Sequence, residues 1–486
     1  MKNVSKSVFL NALVCPSFGW LLRSGKPIHQ LSEEALSLAE QFRIEQGVEI
    51  GRRARELYLG GTLIDKKGLV AAARNTSMLL ADSENSVIFE ATFLIDDYVT
   101  KADILLRKKK GWHLIEVKSN TNDKPELTDE LAYTAMVMMR AGVEISSAAL
   151  MLISKDYRLG LPDETLFIEV DHTDETLLRA LAFAKYWEDV LKHTGATIMP
   201  GPELRLECKK CPLFVDCLGK GIDNHILEIP RLSQKKFNGL KNLGIVCIED
   251  IPSTFELTQN QAIVRDCVVL KEPRVNESLE NELDAIAWPV YYLDFETVMT
   301  AIPLYPDITP YTQMPTQYSI HKCSDVGKVV AHKEFLSGHK KDDRRRLAET
   351  LISDLETAGS IITYSNFEQN TINNLARLYP DLSDKLERTL DRIIDLEAII
   401  RKNFYHPDFH GSISIKRVLP VLVTAMSYDD LEISDGDSAS ATFAYLALGR
   451  WKEESEVESI RDNLKHYCAR DTLAMVKLHE RLHTWE

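Results

Sequence analysis

Three groups of residues in this 486-residue chain have the types and spacing of working sites. The first is Asp103 with Glu116-Val117-Lys118. On a strand, Glu116 and Lys118 project from one face because side chains alternate. Asp103 lies across a Lys-Lys-Lys-Gly turn at 108–111, so its carboxylate can approach Glu116. Two carboxylates that close repel unless a divalent cation lies between them. Mg²⁺ or Mn²⁺ there would polarise a phosphodiester and acidify a bound water. Lys118 would position that water or neutralise charge developing in the transition state.

The second group is Cys208-Lys-Lys-Cys211-Pro-Leu-Phe-Val-Asp-Cys217, with Cys15 far upstream. Two close cysteines, a third soon after and a fourth from a distant segment suit a four-thiolate metal centre. Such a centre closes a long loop and so stabilises the fold. Spacing alone leaves zinc and [4Fe–4S] both open. The remaining cysteines, Cys247, Cys267, Cys323 and Cys468, are scattered and read as ordinary thiols.

The third group is acidic. Asp294-Phe-Glu296 ends an apolar run, Glu368 follows Tyr364-Ser-Asn-Phe, and Asp471 closes His466-Tyr467-Cys-Ala-Arg-Asp471. Four acids on three separated segments can hold two divalent cations and drive in-line attack of water on a terminal phosphodiester.

These residues need elements to position them. Residues 31–58 predict a long helix with Ser32 as N-cap and Gly60-Gly61 as its stop. Residues 87–95, 101–107 and 112–118 predict strands, 128–141 an amphipathic helix, 148–153 a strand and 174–194 a further helix. Residues 226–285 predict a helical connector. Its Leu240-Lys-Asn-Leu-Gly-Ile245 and Asp250-Ile-Pro252 have the pattern of a helix-hairpin-helix, whose turn offers N–H groups to a phosphate. A second α/β unit begins near Tyr291, with strands at 290–295 and 361–364, helices at 343–357 and 368–378, and a last helix at 471–482.

Length predicts two domains and a connector: 1–225, 226–285 and 286–486. The net charge of −15 excludes a simple basic nucleic-acid coat, yet permits an enzyme whose acids hold metal and whose nucleic-acid contact is a local basic groove. No apolar run has the length of a membrane span; the best, Leu131–Ile153, is broken by Arg140 and Glu144. Val8–Val14 is short, contains Asn11 and lacks a small-residue cleavage site, so an amphipathic helix leading into Cys15 is expected rather than a secretion signal. The expected location is the cytoplasm.

The first region resembles the PD-(D/E)xK nucleases of the RecB-like group, and most closely the CRISPR-associated and helicase-associated members that carry an iron–sulfur cluster. That resemblance implies a restriction-endonuclease-like α/β fold over roughly 1–225, with Asp103 as the second-motif acid and Glu116 and Lys118 as the third-motif pair. It favours [4Fe–4S] over zinc on Cys15, Cys208, Cys211 and Cys217, and makes Glu90 a secondary metal or substrate contact. Two positions depart from the pattern. Gly51 stands where many members have His, and Thr134 where Gln is expected.

Residues 286–486 resemble the ribonuclease-H-like DEDD exonucleases. Asp294 and Glu296 match the first motif, and Asn366-Phe-Glu368 the second, with Glu in place of Asp. Tyr467-x3-Asp471 matches the third, with Tyr467 orienting the nucleophilic water and His466 as the second choice. The resemblance further implies that Lys416, in Gly411-Ser-Ile-Ser-Ile-Lys416, contacts the nucleic-acid backbone and that Asp395 lies near the site. The pairing of both regions resembles a family of fused bacterial and phage proteins. The resulting expectation is a metal-dependent exonuclease acting on single-stranded DNA or duplex ends. The alternatives are a DNA-binding module with a decayed first site, or an RNA exonuclease using only the second.

Overall fold

The computed structural model describes residues 2–25, 36–428 and 430–485. They divide into two units. Unit 1 comprises 1–205, 215–218 and 300–312; unit 2 comprises 206–214, 219–299 and 313–486. Residues 226–285 thus group with unit 2. The molecule is mixed α/β, with mixed sheets and many helices.

Unit 1 is organised on a six-stranded sheet: β1 (Thr62–Leu63), β2 (Val87–Ile95), β3 (Tyr98–Arg107), β4 (Trp112–Val117), β5 (Ile145–Ile153) and β6 (Phe167–Asp171). The strands lie side by side in sequence order, with β1–β2 and β4–β5 parallel and the other pairs antiparallel. Its helices are α1 (Lys6–Val14), α2 (Pro16–Ser24), α3 (Leu38–Glu56), α4 (Leu69–Ala81), α5 (Pro125–Arg140), α6 (Thr173–Ala184) and α7 (Trp187–Thr194). The expected N-cap Ser32 lies outside the described residues. Helix α3 is capped by Ser37, whose hydroxyl accepts the Glu40 N–H while Glu40 accepts the Ser37 N–H. The single helix expected over 174–194 is two, α6 and α7.

The core of unit 1 fixes the segment that leads into α1. Val4 is fully buried; its carbonyl accepts the Val99 N–H at 2.9 Å and its N–H donates to the Asp97 carbonyl at 2.8 Å. Phe9 packs on Tyr98, Tyr133 and Phe183. The Tyr133 hydroxyl donates to the Val4 carbonyl at 2.7 Å, so this buried aromatic leaves no polar atom unpaired. These contacts fix the first turn of α1, and Lys6 with it, beside the sheet.

Unit 2 opens with α8 (Gln234–Asn242), α9 (Gln259–Leu270), β7 (Arg274–Val275) and α10 (Ser278–Asp284). Gly244, at φ +71°, ends α8: the Ile245 N–H reaches the Leu240 carbonyl and the Gly244 N–H reaches that of Lys241. This is a Schellman cap. Those two N–H groups, at the glycine of the predicted hairpin, are therefore already engaged.

A five-stranded sheet follows: β8 (Val290–Val298), β9 (Met314–Asp325), β10 (Lys328–Leu336), β11 (Ile361–Thr363) and β12 (Ile393–Asp395). Its order is β10-β9-β8-β11-β12, antiparallel among the first three and parallel from β8 onwards. The helices are α11 (Arg344–Asp354), α12 (Phe367–Leu378), α13 (Ser383–Leu390), α14 (Leu396–Asn403), α15 (Ile415–Leu422), α16 (Gly436–Ala447) and α17 (Glu454–His483); a short β13 (Phe404–Tyr405) pairs with β7.

Helix α17 corrects an expectation. It begins at residue 454, so Asp471 lies in its middle rather than at its start. Its buried stripe runs Leu464, Tyr467, Cys468, Asp471, Thr472, Met475, Leu478, His479, Leu482. Residues 454–463 bury no side chain, so the first turns of the helix offer no apolar period to a pattern search.

Candidate active sites

In unit 1, β3 and β4 pair with Ile104 opposite Ile115, which brings Asp103 to the level of Glu116. An Asp103 carboxylate oxygen accepts the Val117 N–H at 2.8 Å. Burial and the Glu116 charge push the Asp103 carboxyl up to about 7, against the lowering effect of that hydrogen bond and of Lys6 and Lys118. Glu116 behaves oppositely. Burial alone would raise it, but Lys6 and Lys118 hold it below the usual range.

Two lysines meet one Glu116 oxygen: Lys118 Nζ at 2.9 Å, and Lys6 Nζ in a direct ion pair. Lys118 also bonds Glu130 on α5 at 2.5 Å, and Lys6 lies 3.8 Å from it. The other Glu116 oxygen, Oε2, is buried with no hydrogen-bond partner among the described residues. Glu90 lies on β2 beside this pair at φ +55°, a left-handed conformation inside a strand, with Arg55 at 3.5 Å and Lys101 at 3.9 Å. Backbone strain of that kind concentrates at functional positions.

A cavity of about 590 Å³ opens here, lined among others by Gly47, Gly51, Glu90, Asp103 and Lys118. A side chain at Gly47 would meet nothing within 4 Å, and one at Gly51 only the tip of Arg55. At these two positions the wall that α3 presents is bare backbone, set between the side chains of Ile44, Val48, Ile50 and Arg55. Thr134 is fully buried and shares a hydrogen bond of 3.1 Å with Thr100, away from the acids. Glu130, one turn before it, contacts Lys118 instead, and the helical period alone could have marked that position. Lys6 carries no local signal, because its partner Glu116 is a strand of the sheet far along the chain.

In unit 2, Asp294 and Glu296 alternate to one face of the central strand β8. Glu368 lies in the first turn of α12 and Asp471 on α17. Among the described residues, Asp294, Glu296 and Asp471 form the one set of metal-ligating types whose ligand atoms all lie within 4.8 Å of one another. Burial, then the neighbouring acids, push Asp294 and Glu296 well above the carboxylate range. Glu368 rises to about 8, chiefly by burial, with Asp395 and Asp471 adding to it. Asp471 rises to about 6, its burial opposed by hydrogen bonds from Tyr428 and Tyr467 and by Lys416. Glu368 Oε2 is buried and has no hydrogen-bond partner among the described residues. Such a group of partly to fully buried acids can supply the donor set of a divalent cation.

Tyr467 is 3% exposed with its hydroxyl on Asp471, while His466 faces solvent. Lys416 stands with its ammonium 5.4 Å from the Tyr428 ring and 5.6 Å from the Tyr467 ring, and its charge offsets Glu296 and Asp471. Asp395 caps α14 through the Ala398 N–H and adds negative charge beside Glu368. Two further residues were invisible in the sequence. Tyr428 donates to Asp471, and the buried Cys468 thiol lies 3.7 Å from Asp294 Oδ2. Cys468 follows Tyr467 directly, so helical geometry marks it once the helix is known; Tyr428 sits in a loop with no pattern.

Of the cysteine quartet, Cys15 caps α2 without using its thiol, and Cys208 and Cys211 are joined by a turn whose N–H···O bond is 3.1 Å. These three and Cys217 are all partly exposed, whereas Cys267, Cys323 and Cys468 are buried. No disulfide engages any of the eight. No helix among the described residues is long and apolar enough to cross a membrane.

A family model described as a domain of unknown function, DUF2779, matches residues 291–414. That span takes in Asp294, Glu296, Glu368 and Asp395 but stops short of Asp471. The chain is similar to the uncharacterized protein MG366 of Mycoplasma genitalium, 24% identical over 229 residues, or 42% of this chain and 33% of that protein. Its homolog in Mycoplasma pneumoniae is 24% identical over 206 residues, 38% of this chain and 31% of that protein. The chain thus spans about a third of the length of these curated relatives. A solved structure titled "Crystal structure of SSO0001" is 16% identical and covers 42% of this chain and 94% of its own, at a TM-score of 0.17. At that score it bears on neither fold nor function.

Proposed function

We propose that this chain is a metal-dependent nuclease that hydrolyses phosphodiester bonds at nucleic-acid ends, with its principal site on Asp294, Glu296, Glu368 and Asp471. The observation that carries this reading is the convergence of Asp294, Glu296 and Asp471, with ligand atoms within 4.8 Å of one another and, among the described residues, no basic side chain paired to them directly. Burying like charges together is unfavourable by several kcal/mol unless protons or a cation offset it. The orphaned Glu368 oxygen fits the same donor set. A bound Mg²⁺ or Mn²⁺ would supply a Lewis acid and an acidified water.

The protein's own groups do the rest. Burial and the surrounding acids keep the Tyr467 phenol protonated far above neutral pH, so it acts as a hydrogen-bond donor that holds Asp471 and orients a water beside it. Lys416 offsets charge developing at the phosphate. A five-stranded mixed sheet with the first acids on its central strand is compatible with the ribonuclease-H-like DEDD reading. The six-stranded sheet of unit 1, with Asp103, Glu116 and Lys118 at one cavity, is compatible with the PD-(D/E)xK reading.

A second reading rests on a specific observation in unit 1. Lys6 and Lys118 already neutralise Glu116 there, so that site is held closed by protein cations. A nucleic-acid-binding role without cleavage suits it. For Cys15, Cys208, Cys211 and Cys217 the support for [4Fe–4S], with zinc as the alternative, is the Cys-x2-Cys-x5-Cys spacing; among the described residues these thiols form no set of three or more close ligand atoms.

The test is direct. The chain is purified without oxygen, its visible absorption and its iron and zinc content are read, and end-labelled DNA and RNA are incubated with it in Mg²⁺ or Mn²⁺. Metal-dependent shortening from an end, lost in Asp294→Ala, supports the proposal; products indistinguishable between that variant and the wild type refute it.

A further inference from the structure

Unit 2 holds a second cavity, of about 840 Å³, separate in its lining from the four acids. It is walled by the segment around Pro230, the start of α9, one face of α14 and the loop Gly411–Ser414 that leads into α15. Its charged lining is Lys209, Arg231 and Arg401 against Glu397 alone. In a chain of net charge −15, that balance is local and inverted. Arg401 is paired with Glu397 at 2.6 Å, whereas among the described residues Lys209 and Arg231 form no ion pair, and the Lys209 ammonium donates to the Ile229 carbonyl at 3.4 Å. Both are exposed.

Two further observations give the cavity a direction. Arg231 has φ +50°, a conformation that a non-glycine residue adopts at a cost and that is worth retaining where its side chain must be aimed. The serines of the cavity wall, Ser412 and Ser414, belong to the segment that carries Lys416. From Ser414 to Lys416 the chain rises only about 3 Å along α15. The cavity and the acids are thus the two ends of one short segment: hydroxyls at one end, and at the other the ammonium that faces Tyr467 and Asp471.

We infer that this cavity holds a nucleotide of a single-stranded nucleic acid whose end reaches the Asp294–Glu296–Asp471 cluster, with Lys209 and Arg231 on its phosphate. The inference rests on the nuclease reading and names how that site would hold its substrate. Anion recognition comes from exposed cations without an acidic partner and from hydroxyls. The apolar remainder of the wall, Ile263 and Phe404 among it, offers a face to a base.

The full chain is titrated into a short fluorescent oligothymidylate with chelator present, so that no strand is cut, at several salt concentrations. Three variants are compared. Arg231→Gly removes the charge and keeps the backbone geometry. Lys209→Gln removes the other charge. Asn260→Trp fills the cavity mouth from an exposed position without changing charge. The expected result is binding about tenfold weaker or worse in each. For the two charge variants the log–log salt slope should also shrink by about 0.7 for each phosphate that is no longer neutralised. Wild-type affinity in all three overturns the inference. So does thymidine monophosphate binding as tightly as the strand, which makes the cavity a mononucleotide site. Hydrolysis of thymidine 5′-p-nitrophenyl phosphate by the wild type in Mn²⁺ is read separately. Its absence sinks the nuclease reading while leaving the binding result to stand or fall by itself.

Discussion

The two acidic sites solve the same electrostatic problem in opposite ways. In unit 1, Glu116 is buried but flanked by Lys6 and Lys118, with Glu130 completing a balanced group of two acids and two bases. In unit 2, Asp294, Glu296, Glu368 and Asp471 crowd together, with Lys416 the nearest moderating cation. The first arrangement is stable as it stands. The second is unsatisfied at neutral pH until protons or a metal ion enter. A carboxylate cluster without protein counter-charges is therefore the better pointer to metal chemistry than a carboxylate beside a lysine, although both fit sequence motifs equally well.

That contrast can be broken most decisively by activity. Asp294→Asn should lower metal-dependent cleavage of end-labelled DNA by about a thousandfold or more, because it removes a group proposed to hold the metal. Lys118→Ala on the same substrate should leave most of the cleavage intact. The reverse ranking would transfer the principal site to unit 1.

Next in size is an opposition in stability. Glu116→Gln leaves two half-buried ammonium groups with only Glu130 between them, and should destabilise unit 1 by about 2 kcal/mol. The same acid-to-amide change at Asp294 should stabilise unit 2 in metal-free buffer, since it relieves repulsion. Thermal melts of both variants read this directly, and two shifts of the same sign would show that the sites do not differ as described.

Tyr467→Phe should lower the turnover number by about 10- to 100-fold with the Michaelis constant nearly unchanged. His466→Ala should stay close to wild type. An equal loss in both would mean that the exposed histidine, not the buried phenol, serves the reaction.

The smallest effect is on pH. For a carboxyl whose folded value is raised, the native state binds more protons than the unfolded one, so stability falls as pH rises through that window. Glu368 spans 4.5 to about 8, Asp103 3.8 to about 7, and Asp471 3.8 to about 6. The buried His225, His321 and His479, depressed to about 4 by burial, act in the opposite sense, but only below their ordinary 6.5. Between pH 6.5 and 8 the metal-free chain should therefore lose a few degrees of melting temperature, at about 2–4 °C per kcal/mol. Saturating Mg²⁺ should flatten that slope; an unchanged slope with Mg²⁺ would separate the titrating acids from any metal site.

What the residues disclosed on their own follows from distance along the chain. Asp294 and Glu296 were legible because a strand's period of two ties them together. Asp103 and Glu116 were legible because a short turn sets their register. Lys6 and Tyr428 were not, since each meets its acid only after the whole unit has folded. The long α17 was half hidden because residues 454–463 bury no side chain, so no apolar period marks its first turns.

The stretch 300–312, which leaves β8 and returns as β9, belongs to unit 1. Ala301 is buried there with Ile50, Ile153, Tyr157 and Leu166, its N–H donates to Gln46 at 2.6 Å, and the Tyr311 hydroxyl donates to the Ser119 carbonyl. No single scission of the polypeptide can therefore deliver both units whole. A fragment ending at residue 225 would lack this piece of its own interior and present bare aliphatic surface to solvent, an invitation to aggregate. Anyone dissecting the two candidate sites should disable one by point substitution rather than cut the gene in two.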